Sequence, residues 1–294
     1  VIIRSSLLAN LPAGQRVDTG DTANMPLIRV TADSPVFSTT VGASNAHHYR
    51  FAGLEITSTV AITEIVRLGS ATNSTAANLG THFIVDRCYV HGASGLKARR
   101  GISLQSGEAA IIDSRIADCK EVGADSQAIA GWNGTGPYKI ENNYLEGAGE
   151  NLMFGGEDTN ITNNTPADIE ILRNYFFKPL TWRIGDPTYA GTAWSIKNIF
   201  ELKHAKRLRV EGNIFEHNWL HAQSGFAILF TVRNQNGGNT WATVSDVTFR
   251  YNVLRHTDHG VNVLGKDNLQ TSDNSRRILI RDNLVYDLGA YGAT

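Results

Sequence analysis

The chain has 294 residues, 41% of them hydrophobic and 19% charged, with a formal net charge of −1. That balance belongs to an ordinary folded protein and gives no reason to expect nucleic acid or a membrane surface as a partner. No apolar stretch approaches the roughly 18–20 residues of a membrane span, and 2 cysteines are too few for a disulfide framework.

The first predicted element is a strand in "VIIRSS", and residues 1–48 are assigned to an N-terminal coil or cap. No initiating Met or signal peptide precedes it, and "LGAYGAT" stops where a further strand is due. A segment of a longer chain is therefore expected. From Tyr49 onward one frame recurs. "FAGLEI", "VDRCYV" and "IIDSRI" carry Leu54, Cys88 and Ser114 in a slot between apolar residues. "IENNYL", "ILRNYF", "VEGNIF", "FRYNVL" and "IRDNLV" carry Asn143, Asn174, Asn213, Asn252 and Asn283 in the same slot. Successive slots lie 34, 26, 29, 31, 39, 39 and 31 residues apart. Self-similarity at such a period marks a solenoid or propeller.

Between the slots come short alternating runs, "GISLQ", "QAIAG", "NLMFGG", "IFELK", "FAILFT" and "GVNVLG". Alternation argues strand, and the bounding Gly, Asn and Asp argue turns. Leucine-rich repeats fail because the helical half is missing, and a propeller needs a tighter period. A parallel β-helix fits, with three short strands per coil and corner loops of variable length. The fold expected is all-β: one solenoid domain over 1–294, with about eight repeat coils over 49–294. An inward Asn at a bend can bond its neighbours' amides and carbonyls, so the slot predicts an internal asparagine ladder of structural role. Cys88 occupies a slot and Cys119 does not stack on it, so buried free thiols are expected.

The asparagine frame followed by a Gly-apolar-x-apolar strand resembles the right-handed parallel β-helix repeats of the pectate-lyase-like superfamily. The resemblance runs from about Tyr49 to the C-terminus. It implies a groove along the face formed by the strand after the asparagine-bearing strand and its turn, where long sugar chains lie. It also implies a secreted or cell-surface protein whose partner is a polysaccharide. The "NTD…DD…GHG…RIK" set of polygalacturonases and the "DH" and "RxPxxR" signatures of pectate lyases are absent.

Placed on that face, Ile102, Leu104, Phe200, Leu202, Ile228, Phe230, Val261 and Val263 should point inward. Ser103, Ile129, Met153, Glu201, Leu229 and Asn262 should line up outside. Charges gather beside that outer column. Glu201, Lys203, His204 and Arg233 are the candidate catalytic residues, and Glu150, Glu157, Trp132 and Lys266 are candidates for substrate binding. Lys203, His204 or Arg233 would help remove a proton α to a uronate and neutralise the acid, whereas hydrolysis would need two flanking carboxylates. A Ca²⁺ site is expected from acidic oxygens among Asp125, Glu150, Glu157 and Asp158, first of all Asp125, Glu157 and Asp158. The other interpretation of these charges is a set of solvated surface ion pairs. Two functions are thus expected: a polysaccharide lyase or hydrolase acting on an acidic glycan, or a non-catalytic structural, adhesin or tailspike-like glycan-binding β-helix.

Overall fold

The computed structural model describes residues 1–41 and 44–292; the last two residues of the repeat region expected over 49–294 lie outside the described residues. The described residues form three all-parallel sheets of nine, nine and eight strands, with one small antiparallel ribbon, Thr40–Val41 against Ser44–Asn45. Consecutive strands go to the first, second and third sheet in turn, and each pairs with its equivalent one coil later. Ala167–Leu172, Tyr175–Phe177 and Phe200–Leu202, for example, stack on Tyr138–Glu141, Tyr144–Gly147 and Glu150–Phe154. This is the right-handed parallel β-helix that the repeat predicts. Nine, nine and eight strands make eight full coils and two strands of a ninth. Ile2–Arg4, Leu27–Val30 and Phe37–Ser38 supply the first coil, so the N-terminal region is itself part of the rod. The helices among the described residues are four short 3₁₀ turns: Leu8–Asn10, Thr19–Asn24, Ala76–Asn78 and Leu180–Trp182.

Register turns the repeat into a core. On the first sheet Val85, Ile111, Ile140, Ile171, Val210, Phe249 and Ile280 are aligned one above another. On the second, Val90, Ile116, Leu145, Phe176, Phe215 and Leu254 follow suit, and the Phe176 and Phe215 rings stack 4.5 Å apart. Each fully buried side chain of this size contributes about 1.5–3 kcal/mol of burial free energy. Cys88 and Cys119 are free and buried, and burial pushes the Cys88 thiol up to about 12.

The corner between the first and second sheets is two residues wide. Its leading residue is Gly53, Arg87, Asp113, Asn142, Arg173, Gly212, Tyr251 or Asp282 in successive coils, always at φ between +49° and +68°. Six of these eight are not glycine, and a left-handed backbone costs an L-residue about 1–2 kcal/mol. The residue that follows is the slot, and its side chain answers that cost. Asn213 Oδ1 accepts from the Asn174 backbone N–H at 2.8 Å and from Asn174 Nδ2 at 3.1 Å. Asn213 Nδ2 donates to Ile171 O at 2.9 Å and to Asn252 Oδ1 at 2.9 Å. The same pattern links Asn143 to Asn174 and Asn252 to Asn283. Toward the N-terminus the column changes chemistry: Asn143 Oδ1 accepts from Ser114 N, and Ser114 Oγ accepts from Cys88 N.

The third sheet bends near its start, because two consecutive residues per strand point inward. Ala128 and Ile129 are both in the core, as are Ala227 and Ile228. Ile129 is aligned with Ile102 and Leu152, so it is an inward residue; the outer column expected through Ile129 instead runs Ser103, Ala130, Met153, Glu201, Leu229, Asn262. The bend adds a residue that strict alternation does not count. The inward set is otherwise as expected, although Val263 lies on the last strand of this sheet and is half exposed.

Replacing Asn213 with Ala removes four side-chain bonds from a buried corner. The variant should lose about 1–3 kcal/mol of stability, measured by thermal or urea unfolding against the parent.

Candidate functional site

Although Ser103, Ala130, Met153, Glu201 and Leu229 point out of the coil, all are buried. Corner segments rise on both sides of the third sheet and make it the floor of a cleft. One wall is tied together by Asn133, whose Oδ1 accepts from Thr159 Oγ1 and the backbone of Asn160, and whose Nδ2 donates to Ser70 O and Asn73 O. Asp158 extends this wall by accepting from the backbone N–H groups of Asn236 and Gly238. The facing wall is the long segment between Phe177 and Phe200. Trp182, Trp194 and Ile196 pack there with Trp219 and Ala148 in a small core of their own. Ser195 and Lys197 join that wall to Gly123 and Asp125.

Within the cleft Glu201, Lys203 and Arg233 border one cavity of about 380 Å³ together with Gln223, Thr231, Asn234 and Asp267. Glu201 is only 2% exposed and accepts from Asn198 Nδ2 at 3.1 Å and Thr231 Oγ1 at 3.4 Å. Lys203 Nζ lies 3.8 Å from Glu201 Oε1, too long for a hydrogen bond. The ammonium is thus held near the carboxylate by charge, and Lys203 lines the cavity. Gly155 makes room for it: at φ +95°, a Cβ there would lie 2.8 Å from Lys203 Cβ. Arg233 is gripped by Asp267 Oδ1 at 2.8 Å, and Asp267 Oδ2 takes the Asn234 N–H.

Glu150 sits one coil below and is wholly buried. Gln127 Nε2 donates to its Oε2 at 2.7 Å. Burial first, then the charges of Asp125 and Glu201, raise its carboxyl to about 7, against the opposing pull of Lys203 and Lys197. Behind the same corner lies a buried lysine. Lys178 Nζ donates to the carbonyls of Gly147, Ala148 and Gly149, the last at 3.1 Å. Burial lowers its pKa to about 7, with Glu150 and Glu146 pulling upward. Three carbonyl partners nevertheless call for three N–H donors, which only the ammonium form supplies. Lys178 thus pins the turn from which Glu150 projects.

The remaining candidates are dispersed. His204 is 1% exposed and faces away from the cleft: Thr243 N–H donates to Nδ1, and Nε2 meets Asn164 O at 2.8 Å. Those partners fix the neutral tautomer with hydrogen on Nε2, and burial lowers its pKa further. The expected catalytic His204 is therefore a corner fastener. Trp132 is buried beneath the Arg100 guanidinium, 5.0 Å from its ring, and does not offer a sugar platform. Lys266 is exposed and outside the cavity lining, and Glu157 is exposed and bonds the Asn236 side chain. The expected Ca²⁺ ligands are on opposite walls, Asp125 paired with Lys197 and Glu157 with Asp158 holding the Asn236 loop. Among the described residues no three His, Cys, Asp or Glu side chains are grouped to hold a metal ion. Trp241 donates its Nε1–H to Asn164 O and packs a loop.

A larger cavity, about 780 Å³, lies elsewhere, on the outer side of the first sheet around Ala109, Ala110 and Ile84. Its charged rim is already paired and solvated: His82 with Glu108, and Arg207 with Asp168. The smaller cleft is the better chemical candidate because its charged groups are desolvated, where electrostatic interactions are strong. No family model matches this chain, and no curated protein or solved structure matches it.

Replacing Lys178 with Met strips three buried carbonyls of their donor and removes one of the cations that face Glu146 and Glu150. We expect a loss of about 3 kcal/mol in chemical denaturation, larger than for any exposed lysine.

Proposed function

We propose that the protein is a carbohydrate-active β-helix that holds an acidic glycan in the cleft of the third sheet and cleaves it by β-elimination. The observation that carries this is the placement of Lys203 beside the buried Glu201 in a cavity rimmed by Arg233, Gln223 and Asn234. Amides and a planar guanidinium suit hydroxyls and a carboxylate of a sugar acid. Arg233 and the Lys203 ammonium would offset the charge that develops on the uronate as its C5 proton departs. In that step a base of the cleft takes the proton and the freed pair forms the C4=C5 double bond. The C4–O bond breaks, and the leaving oxygen is reprotonated. Glu201, within reach of Lys203, is the carboxylate that balances and orients it.

One observation favours the second function, glycan binding without cleavage. Arg233 is already held by Asp267, and Glu201 by Asn198 and Thr231, which is the pattern of a rigid recognition surface.

A panel of acidic polysaccharides, followed by ultraviolet absorbance of unsaturated products and by reducing ends, separates the two. Absorbance growth is expected with at least one uronate polymer. Lys203→Ala and Glu201→Gln should each lower that rate by about 10²–10⁴-fold while the melting temperature is held. Release of reducing ends without new absorbance would make the protein a hydrolase. Binding with no release at all would establish the recognition function instead.

A further inference from the structure

The floor of the cleft contains buried oxygens that lack a donor. Glu150 Oε1 and Asn198 Oδ1 are both inaccessible and have no hydrogen-bond partner. Their other atoms are committed. Glu150 Oε2 accepts from Gln127 Nε2, while Asn198 Nδ2 donates to Glu201 Oε2 and to Gln223 Oε1 at 2.8 Å. The Asn198 amide is therefore oriented with nitrogen toward Glu201 and oxygen away from it. The two residues stack. Leu152 pairs with Phe200, and Asn198 N–H donates to Gly149 O, which sets Asn198 over Glu150 in the next coil. Two acceptors thus occupy neighbouring positions of one outward column, in a place where unpaired polar atoms are costly; Gln127 Oε1, one coil below, is also unpaired, but it is the amide nitrogen of Gln127 that is turned toward Glu150. Only one of the two can gain a hydrogen.

We propose that Glu150 carries a proton in the resting protein and that its hydroxyl donates to Asn198 Oδ1, fixing the amide that holds Glu201 at the floor of the cleft. The protonated carboxyl supplies the missing donor without disturbing any bond already made. The surrounding charges agree. Burial disfavours ionisation of Glu150 most, and the charges of Asp125 and Glu201 disfavour a third anion beside them. Lys197 is engaged with Asp125, and Lys203 sits over Glu201. Lys178, on the inner side, directs its donors at three carbonyls rather than at Glu150. Glu150 acts here as a positioning residue: it acts on Glu201 through Asn198. Its importance for glycan cleavage rests on the function proposed above, but its protonation does not.

The test uses Glu150→Gln, whose amide nitrogen reproduces the donor of the neutral acid. The wild-type carboxyl remains protonated while the unfolded chain ionises at the ordinary value of 4.5. Wild-type stability relative to the variant should therefore fall as pH rises from 4.5 to about 7, and the difference should be constant above it. In ¹³C spectra of glutamate-labelled protein, one carboxyl resonance absent from Glu150→Gln should titrate near neutral pH. Three results would overturn the proposal: a Glu150 resonance already ionised in mildly acidic solution, a Glu150→Gln protein unfolded where the parent is folded, or a Ca²⁺-dependent rise in wild-type melting temperature that the variant lacks. The last would mean that a cation bridges these oxygens. None of these readouts involves a glycan, so failure here leaves the cleavage proposal standing, and failure of cleavage leaves this one.

Discussion

Coil-on-coil register at the first corner is the constraint on which everything else depends. A left-handed residue turns the chain in two positions, and the slot side chain after it bonds the slot amide and a carbonyl of the coil before. Without that second element, strained corners would stack with unpaired backbone in a dry interior. With it, each coil from Ser114 onward is indexed to the last, and apolar columns follow. The same indexing explains why coils tolerate corner segments of very different length: only the paired strands must keep register, and the loops are free to vary.

That freedom builds the cleft. Glu150, Glu201 and Thr231 come from three successive coils, yet stacking brings them to one surface. The variable segments then rise beside the third sheet and exclude water from side chains that point away from the core. A residue that faces outward and is nevertheless buried is the signature of this arrangement, and Glu150 is its extreme case. The larger hollow on the first sheet has no such walls, which is why its ion pairs are exposed and carry little energy.

Much of this was legible in the residues. The five asparagines announce the repeat, and alternation in "IFELK" puts Glu201 and Lys203 on one side of a strand. Other features left no pattern to find. The left-handed corner is occupied by Arg, Tyr and Asp as well as Gly, so residue type does not reveal it. The bend that turns Ile129 inward is a one-residue slip, invisible to strict alternation. His204 follows Lys203 directly, and sequence alone cannot tell that the chain rotates it toward Asn164. Lys178 lies at the end of an aromatic strand and would ordinarily be taken as solvated; only the three converging carbonyls betray it. Asn198 and Gln223 come from wall segments without periodicity, so the Asn198 amide that donates to both Glu201 and Gln223 is a property of the folded corner.

The proposed function places the glycan on the third sheet, between the two walls. Crystals soaked with a short acidic oligosaccharide test it most directly. A uronate should be seated in the cavity beside Lys203 and Arg233, with Glu201 beneath it. Sugar bound only along the first sheet, over Ala109 and Ala110, would contradict it.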